Sequence, residues 1–215
     1  AVRGAREKLL SARTSSRVLP GRDEKILASW NGMMIRAMAR TGAVLARPDF
    51  INSAYAALDF VRRELWVDGR LLATCKDGKS HLMAYLDDHA FLIEAVLACL
   101  SARWRDDTLP WAIELAELLL QRFADPDTGG FYFTADDHET LIHRARPLMD
   151  DAMPSGNAVA VQALARLGHL IGEPRYLQAA ELGLRSAWIG MERIPHAHSA
   201  TINALEEWLD PVETV

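Results

Sequence analysis

Two pairs of adjacent aspartates, Asp87-Asp88 and Asp150-Asp151, are the residues of this 215-residue chain best suited to moving protons. Paired carboxylates facing one cleft can serve as general acid and base. In glycoside hydrolysis such groups stand about 5–9.5 Å apart. Each pair lies just before or at the start of an apolar helical segment, where an aspartate also caps free amides and answers the helix dipole. For Asp87-Asp88 the capping role and a role as acid, base or sugar-hydroxyl acceptor both stay open. Asp150-Asp151 precedes Ser155-Gly156-Asn157. Ser155 is itself a good N-cap, which leaves the two aspartates spare for chemistry, and Gly156 beside Asn157 lets backbone come close to a neighbour or ligand.

Further polar residues fall at the same end of other apolar segments. Trp30 and Asn31 offer an aromatic platform and an amide for a sugar ring, or a core anchor and a packing hydrogen bond. His89, His196 and His198 suit proton transfer near neutral pH. The catalytic set expected from these patterns is Asp87, Asp88, Asp150, Asp151 and His198. The expected substrate-binding set is Trp30, Asn31, His89, Ser155, Asn157 and His196. His196-x-His198 lacks a placed third ligand, so no metal and no other cofactor is expected. Arg144 and Arg146 alternate on a strand-like run, either to clamp a carboxylate or phosphate or to balance the local aspartates. Met33, Met34 and Met38 read as core.

The elements that must position these residues are helical. Residues 26–45, 86–103 and 155–170 are apolar on nearly all sides, whereas 50–65 and 108–123 carry a single apolar stripe. A last helix covers about 196–209. Asp68-Gly69 and Asp77-Gly78 mark turns of a small β excursion after residue 66. Phe131-Tyr132-Phe133-Thr134 reads as a strand with Leu141-Ile142-His143 as partner. The polar clusters recur at spacings of 57, 69 and 41 residues (Asn31, Asp88, Asn157, His198), mostly longer and less even than a regular helical array. Helical hairpins around a common centre, with polar residues gathered at one end, fit this pattern. Net charge is −5 with scattered basic residues, which gives no footprint for nucleic acid or an anionic membrane. No apolar run reaches a membrane span of about 20 residues. Cys75 and Cys99 form no redox or metal pattern, which suits a reducing cytoplasm.

Four segments carry a family resemblance: Asp23 to Ile35 around Trp30-Asn31-Gly32, Tyr85 to Glu94 around Asp87-Asp88, Gly129-Gly130-Phe131-Tyr132, and Asp151 to Asn157. In this order the chain resembles the C-terminal part of the thioredoxin-domain-containing proteins related to spermatogenesis-associated protein twenty. The resemblance implies an (α/α)-toroid of the six-hairpin glycosidase type, similar to N-acylglucosamine 2-epimerases. Family members carry an N-terminal thioredoxin-like domain, and neither that domain nor a Cys-x-x-Cys is present here. Seven or eight helices also fall short of the twelve of a full ring. The expectation is an all-α chain with short β-hairpins, residues 1–215 forming a single partial toroid domain of a longer protein. His89 stands where the family usually has an aromatic, which weakens it as a family-wide catalyst. Two functions follow from the resemblance: a carbohydrate-active domain of epimerase or hydrolase type, or a non-catalytic platform accompanying a thioredoxin-like domain. Expected partners are a sugar, that thioredoxin-like domain, and a second copy through open toroid edges.

Overall fold

The computed structural model describes residues 2–15, 18–139 and 141–211. Its helices are α1 (Val2–Ser15), α2 (Ala28–Val44), α3 (Pro48–Leu65), α4 (Leu86–Ala102), α5 (Leu109–Phe123), α6 (Gly156–Ile171), α7 (Pro174–Arg193) and α8 (Ser199–Leu209), with a 3-10 turn at Pro195–Ala197. A small antiparallel sheet lies between α3 and α4. In it β3 (Arg70–Lys76) pairs with β1 (Ile26–Leu27), β2 (Trp66–Val67) and β4 (Lys79–Met83). Asp68 and Asp77, at φ 50° and 51°, start the two turns of this excursion, each followed by a glycine.

The helices form two layers. α2, α4, α6 and α8 pack side by side in chain order as an inner layer, and α3, α5 and α7 each back onto the preceding inner helix. This explains the alternation in the sequence. α4 and α6 touch neighbours on both flanks and behind, so they bury residues all round, from Leu86 and Phe91 to Leu100 and from Val159 to Leu167. The backing helices bury one stripe each, such as Trp111, Leu115, Leu119 and Phe123 on α5. Gly32 lets α2 lie directly on α4, since a β-carbon there would sit 2.8 Å from the Phe91 carbonyl carbon. Cys75 and Cys99 are free thiols buried in the core. Among the described residues no helix is long and apolar enough to cross a membrane.

Three expectations change. Residues 131–134 form no strand with 141–143. Phe131 makes a single bridge to Ala124, the Phe133 amide donates to the Ala145 carbonyl, and Leu141 and Ile142 are exposed. Loop backbone thus supplies the bonds that a hairpin would. Met34 is 61% exposed rather than core, because it lies on the α2 flank away from α4, while Met33 and Met38 pack against the core. Trp30 is 60% exposed on the same flank and anchors nothing.

Candidate functional site

The N-termini of the inner helices do converge at one end, held there by side chains that take backbone amides from a neighbouring helix. Asp88 accepts from its own Tyr85 amide at 2.9 Å and from the Ser29 amide at the start of α2, also at 2.9 Å. Asp150 accepts from the Ser155 amide at 2.9 Å and from the Ala200 amide at the start of α8 at 2.8 Å. Both carboxylates are therefore caps that tie two helix starts together. The expectation that Ser155 frees Asp150 from capping is corrected here. The Ser155 hydroxyl makes no cap bond and donates instead to the Pro147 carbonyl at 3.2 Å, so Asp150 takes the cap.

Asn157 is likewise consumed. Its Oδ1 accepts from the Phe131 amide at 2.7 Å, and its Nδ2 donates to the carbonyls of Phe131 and Pro147 at 2.9 and 2.8 Å. Three of its four hydrogen-bonding directions are spent on fixing the 129–147 loop against α6. Asn31 Nδ2 donates to the Leu27 carbonyl at 2.8 Å. Arg146 pairs with Asp125 at 2.6 Å and the Gly129 carbonyl, and Arg144 holds the Thr134 carbonyl while lying over the Tyr132 ring. These arginines pin loops.

The histidines do not gather with the carboxylates. His89 is buried against Phe123, its Nδ1 3.1 Å from the Tyr85 carbonyl, and burial pushes its pKa down to about 4. A ring held neutral inside the core is no proton shuttle. His198 is 3% exposed, its Nδ1 3.0 Å from the Ile194 carbonyl and its ring lying on Gly190. His196 is exposed on the 3-10 turn. Among the described residues no three His, Cys, Asp or Glu side chains come together as a metal site.

Asp87 and Asp151 remain, and the structure brings them together. They line one pocket of about 250 Å³ with Met149, Met153, Ser155 and Gly156. Asp87 Oδ1 is buried and has no hydrogen-bond partner. It rests against Gly156 at the start of α6, where any β-carbon would collide with it. Burial first, and the neighbouring Asp88 charge second, raise its pKa to about 6. Asp151 is exposed at the rim. Of two adjacent aspartates, then, one is a structural cap and the other a loosely held acid tuned toward neutrality.

A second polar centre lies on the opposite half of the inner layer. One charged residue from each inner helix meets its neighbours in series: Arg36 of α2, Glu94 of α4, Arg166 of α6 and Glu207 of α8. Arg166 Nη1 donates to Glu94 at 2.6 Å, and the other side of its guanidinium forks onto both oxygens of Glu207. Arg36 Nε comes within 3.1 Å of Glu94 without hydrogen-bond alignment. Gln162 donates to Glu207 at 2.7 Å. Glu94 is 1% exposed and keeps Oε1 unpartnered. Its pKa is raised by burial, with Arg166 and Arg36 offsetting part of the effect. These residues were not singled out above. Their signal in sequence is a lone charge inside an otherwise apolar stretch, as Glu94 in Phe91–Leu97.

No family model matches the chain. Spermatogenesis-associated protein 20 of Homo sapiens is 31% identical over 210 residues, which take in 93% of this chain and 27% of that protein. The chain is homologous to part of spermatogenesis-associated protein 20. It spans about a quarter of the length of the curated relatives it matches. Among solved structures, a GH76 α-mannanase of Bacteroides thetaiotaomicron superposes with a TM-score of 0.70 at 10% identity, over 91% of this chain and 54% of that one. A cellobiose 2-epimerase of Spirochaeta thermophila gives 0.62 at 20% identity, over 77% and 43%. An inactive α-1,6-mannanase variant of Salegentibacter, with two adjacent aspartates replaced by asparagine and α-1,6-mannotriose bound, gives 0.62 at 15% identity, over 84% and 51%. The fold is a partial (α/α)6 toroid of the six-hairpin glycosidase type.

Proposed function

We propose that this domain acts on a saccharide and that Asp87 transfers the proton. The observation that carries the reading is Asp87 itself. It is a buried carboxyl with an unpartnered oxygen and a pKa of about 6, set in a pocket with a second carboxylate, Asp151. A group poised near the working pH can both give and take a proton, which a hydrolase needs at the leaving oxygen and an epimerase at carbon. The fold supports a sugar as substrate, since its structural neighbours include a cellobiose 2-epimerase and mannanases. An adjacent aspartate pair is also what was replaced in the inactive mannanase variant. The pocket volume of about 250 Å³ is just below the usual range for small-molecule sites, which suits one terminal unit of a ligand.

The platform reading keeps one observation in its favour: Asp88, Asp150 and Asn157 are spent on backbone amides and carbonyls. The two readings part on Asp87→Asn, assayed over a panel of mono- and disaccharides by NMR for epimerisation and by reducing-end release for hydrolysis. Turnover should fall about 100-fold or more with the fold intact. Undiminished turnover in the variant, or a wild type that converts no saccharide, rejects the proposal in favour of a platform.

A further inference from the structure

The concave face of the arc holds a cavity of about 1000 Å³ between the C-terminal halves of α2, α4, α6 and α8, at the far end of these helices from Asp87. Its α2 wall carries Arg36 and Arg40, one turn apart on the same helix face. Among the described residues the Arg40 guanidinium makes no hydrogen bond or ion pair and acts on Glu207 only at longer range. Arg36 pairs with Glu94 at 3.1 Å, and among the described residues its two Nη groups make no hydrogen bond. Two neighbouring guanidinium forks form a ready receptor for a carboxylate or phosphate, which each can bind bidentately. Of the acidic residues in the lining, none forms an ion pair with Arg40 among the described residues. Glu207 is held by the Arg166 guanidinium, which it shares with Glu94, and by the Gln162 amide, and Glu206 and Asp210 are exposed. The lining also includes the indoles of Trp104 and Trp208 and the amides of Gln162 and Asn203. Flat apolar surface next to mixed donors and acceptors matches the alternating faces and hydroxyls of a sugar ring.

We propose that this cavity binds an anionic saccharide, its acid group clamped by Arg36 and Arg40 and its ring against the indoles of the lining. The proposal rests on the reading that the domain handles saccharides, and adds a charge requirement and a second site. A uronic acid and a sugar phosphate share the chemistry required. Isothermal titration compares glucuronate, galacturonate, glucose 6-phosphate, mannose 6-phosphate, glucose and inorganic phosphate, at low and moderate salt. At least one acidic sugar should bind 10-fold or more tightly than glucose, and less tightly as salt rises. Whether the uronates or the phosphates bind identifies the source of the charge. Arg40→Gln, at an exposed position, should cost 10-fold or more in that affinity, and Asp87→Asn should leave it unchanged. Equal binding of glucose and the acids, inorganic phosphate binding as tightly as a sugar phosphate, or no acidic sugar binding at all overturns the proposal. Asp87-dependent turnover of a neutral sugar with no acidic sugar bound would remove this proposal alone. Arg40-dependent binding without turnover by the wild type would remove the proposed activity alone.

Discussion

Replacing Asp87 by Asn should make the domain more stable and less active at once. In the folded chain the Asp87 carboxyl ionises at about 6, against an ordinary 3.8. Between those values the folded state holds a proton that the unfolded state has released, so stability falls as pH rises from about 4 to 6 and stays at the lower level above. At about 1.4 kcal/mol per pH unit the full penalty approaches 3 kcal/mol. The carboxyl is only partly buried, so solvent screening reduces this figure. A net gain of about 1–2 kcal/mol for Asp87→Asn at pH 7.5 follows. For a domain of this size that is about 2–8 °C in melting midpoint. The assay is thermal unfolding of wild type and variant at pH 7.5 and pH 4. At pH 4 the wild-type carboxyl is itself protonated, so the two curves should converge. A variant less stable than wild type at pH 7.5, or a difference that persists at pH 4, would refute the account of Asp87 as a strained acid.

The neighbouring positions should respond differently. Asp150→Ala removes the acceptor of two amides that start separate helices and should cost about 2–4 kcal/mol in denaturant unfolding, with no dependence on any sugar. Arg166→Ala leaves Glu94 buried beside Glu207 without their shared cation. It should destabilise by about 3–5 kcal/mol at pH 7.5, and Glu94→Gln in the same background should recover part of the loss. Gly156→Ala drives a β-carbon into Asp87 Oδ1, so the carboxyl must move; turnover should fall while the melting midpoint changes little, because the side chain can swing toward the pocket.

What the sequence made legible was whatever depends on local periodicity. The apolar faces of 86–103 and 155–170 located the buried inner helices, and Asp68-Gly69 and Asp77-Gly78 located the turns between β2, β3 and β4. The recurrence of polar residues before each apolar run also led correctly to a shared end, since Asp88 and Asp150 bridge neighbouring helix starts. The misreadings all involve partners distant in the chain. Ser155 was the natural local cap for α6, but Asp150 can hold Ser155 and, 50 residues on, Ala200, which a serine hydroxyl cannot reach. His89 and His198 stood among polar neighbours in sequence, yet each points into packed surroundings that the one-dimensional order does not reveal.

The larger omission has the same cause and alters how such a fold should be read. Polar residues at helix starts are abundant because every helix start has amides to satisfy, so at these positions a carboxylate is informative only when it is left over. In the mouth, Asp87 is left over because Asp88 already completes the capping box of α4. Polar residues in the middle of buried helices have no such local duty. Glu94 sits where an aliphatic side chain would pack with less desolvation cost, and neither it nor its partners Arg166 and Arg36 satisfies its own helix. Their ion pairs make the buried charges tolerable, but the Glu94 oxygen without a partner and the uncommitted guanidinium of Arg40 go beyond what holding four helices together requires. Salt separates the two roles: the pairing of the buried Glu94 carboxylate loses little at high ionic strength, whereas a clamp for an acidic sugar in the open cavity weakens visibly across the same range.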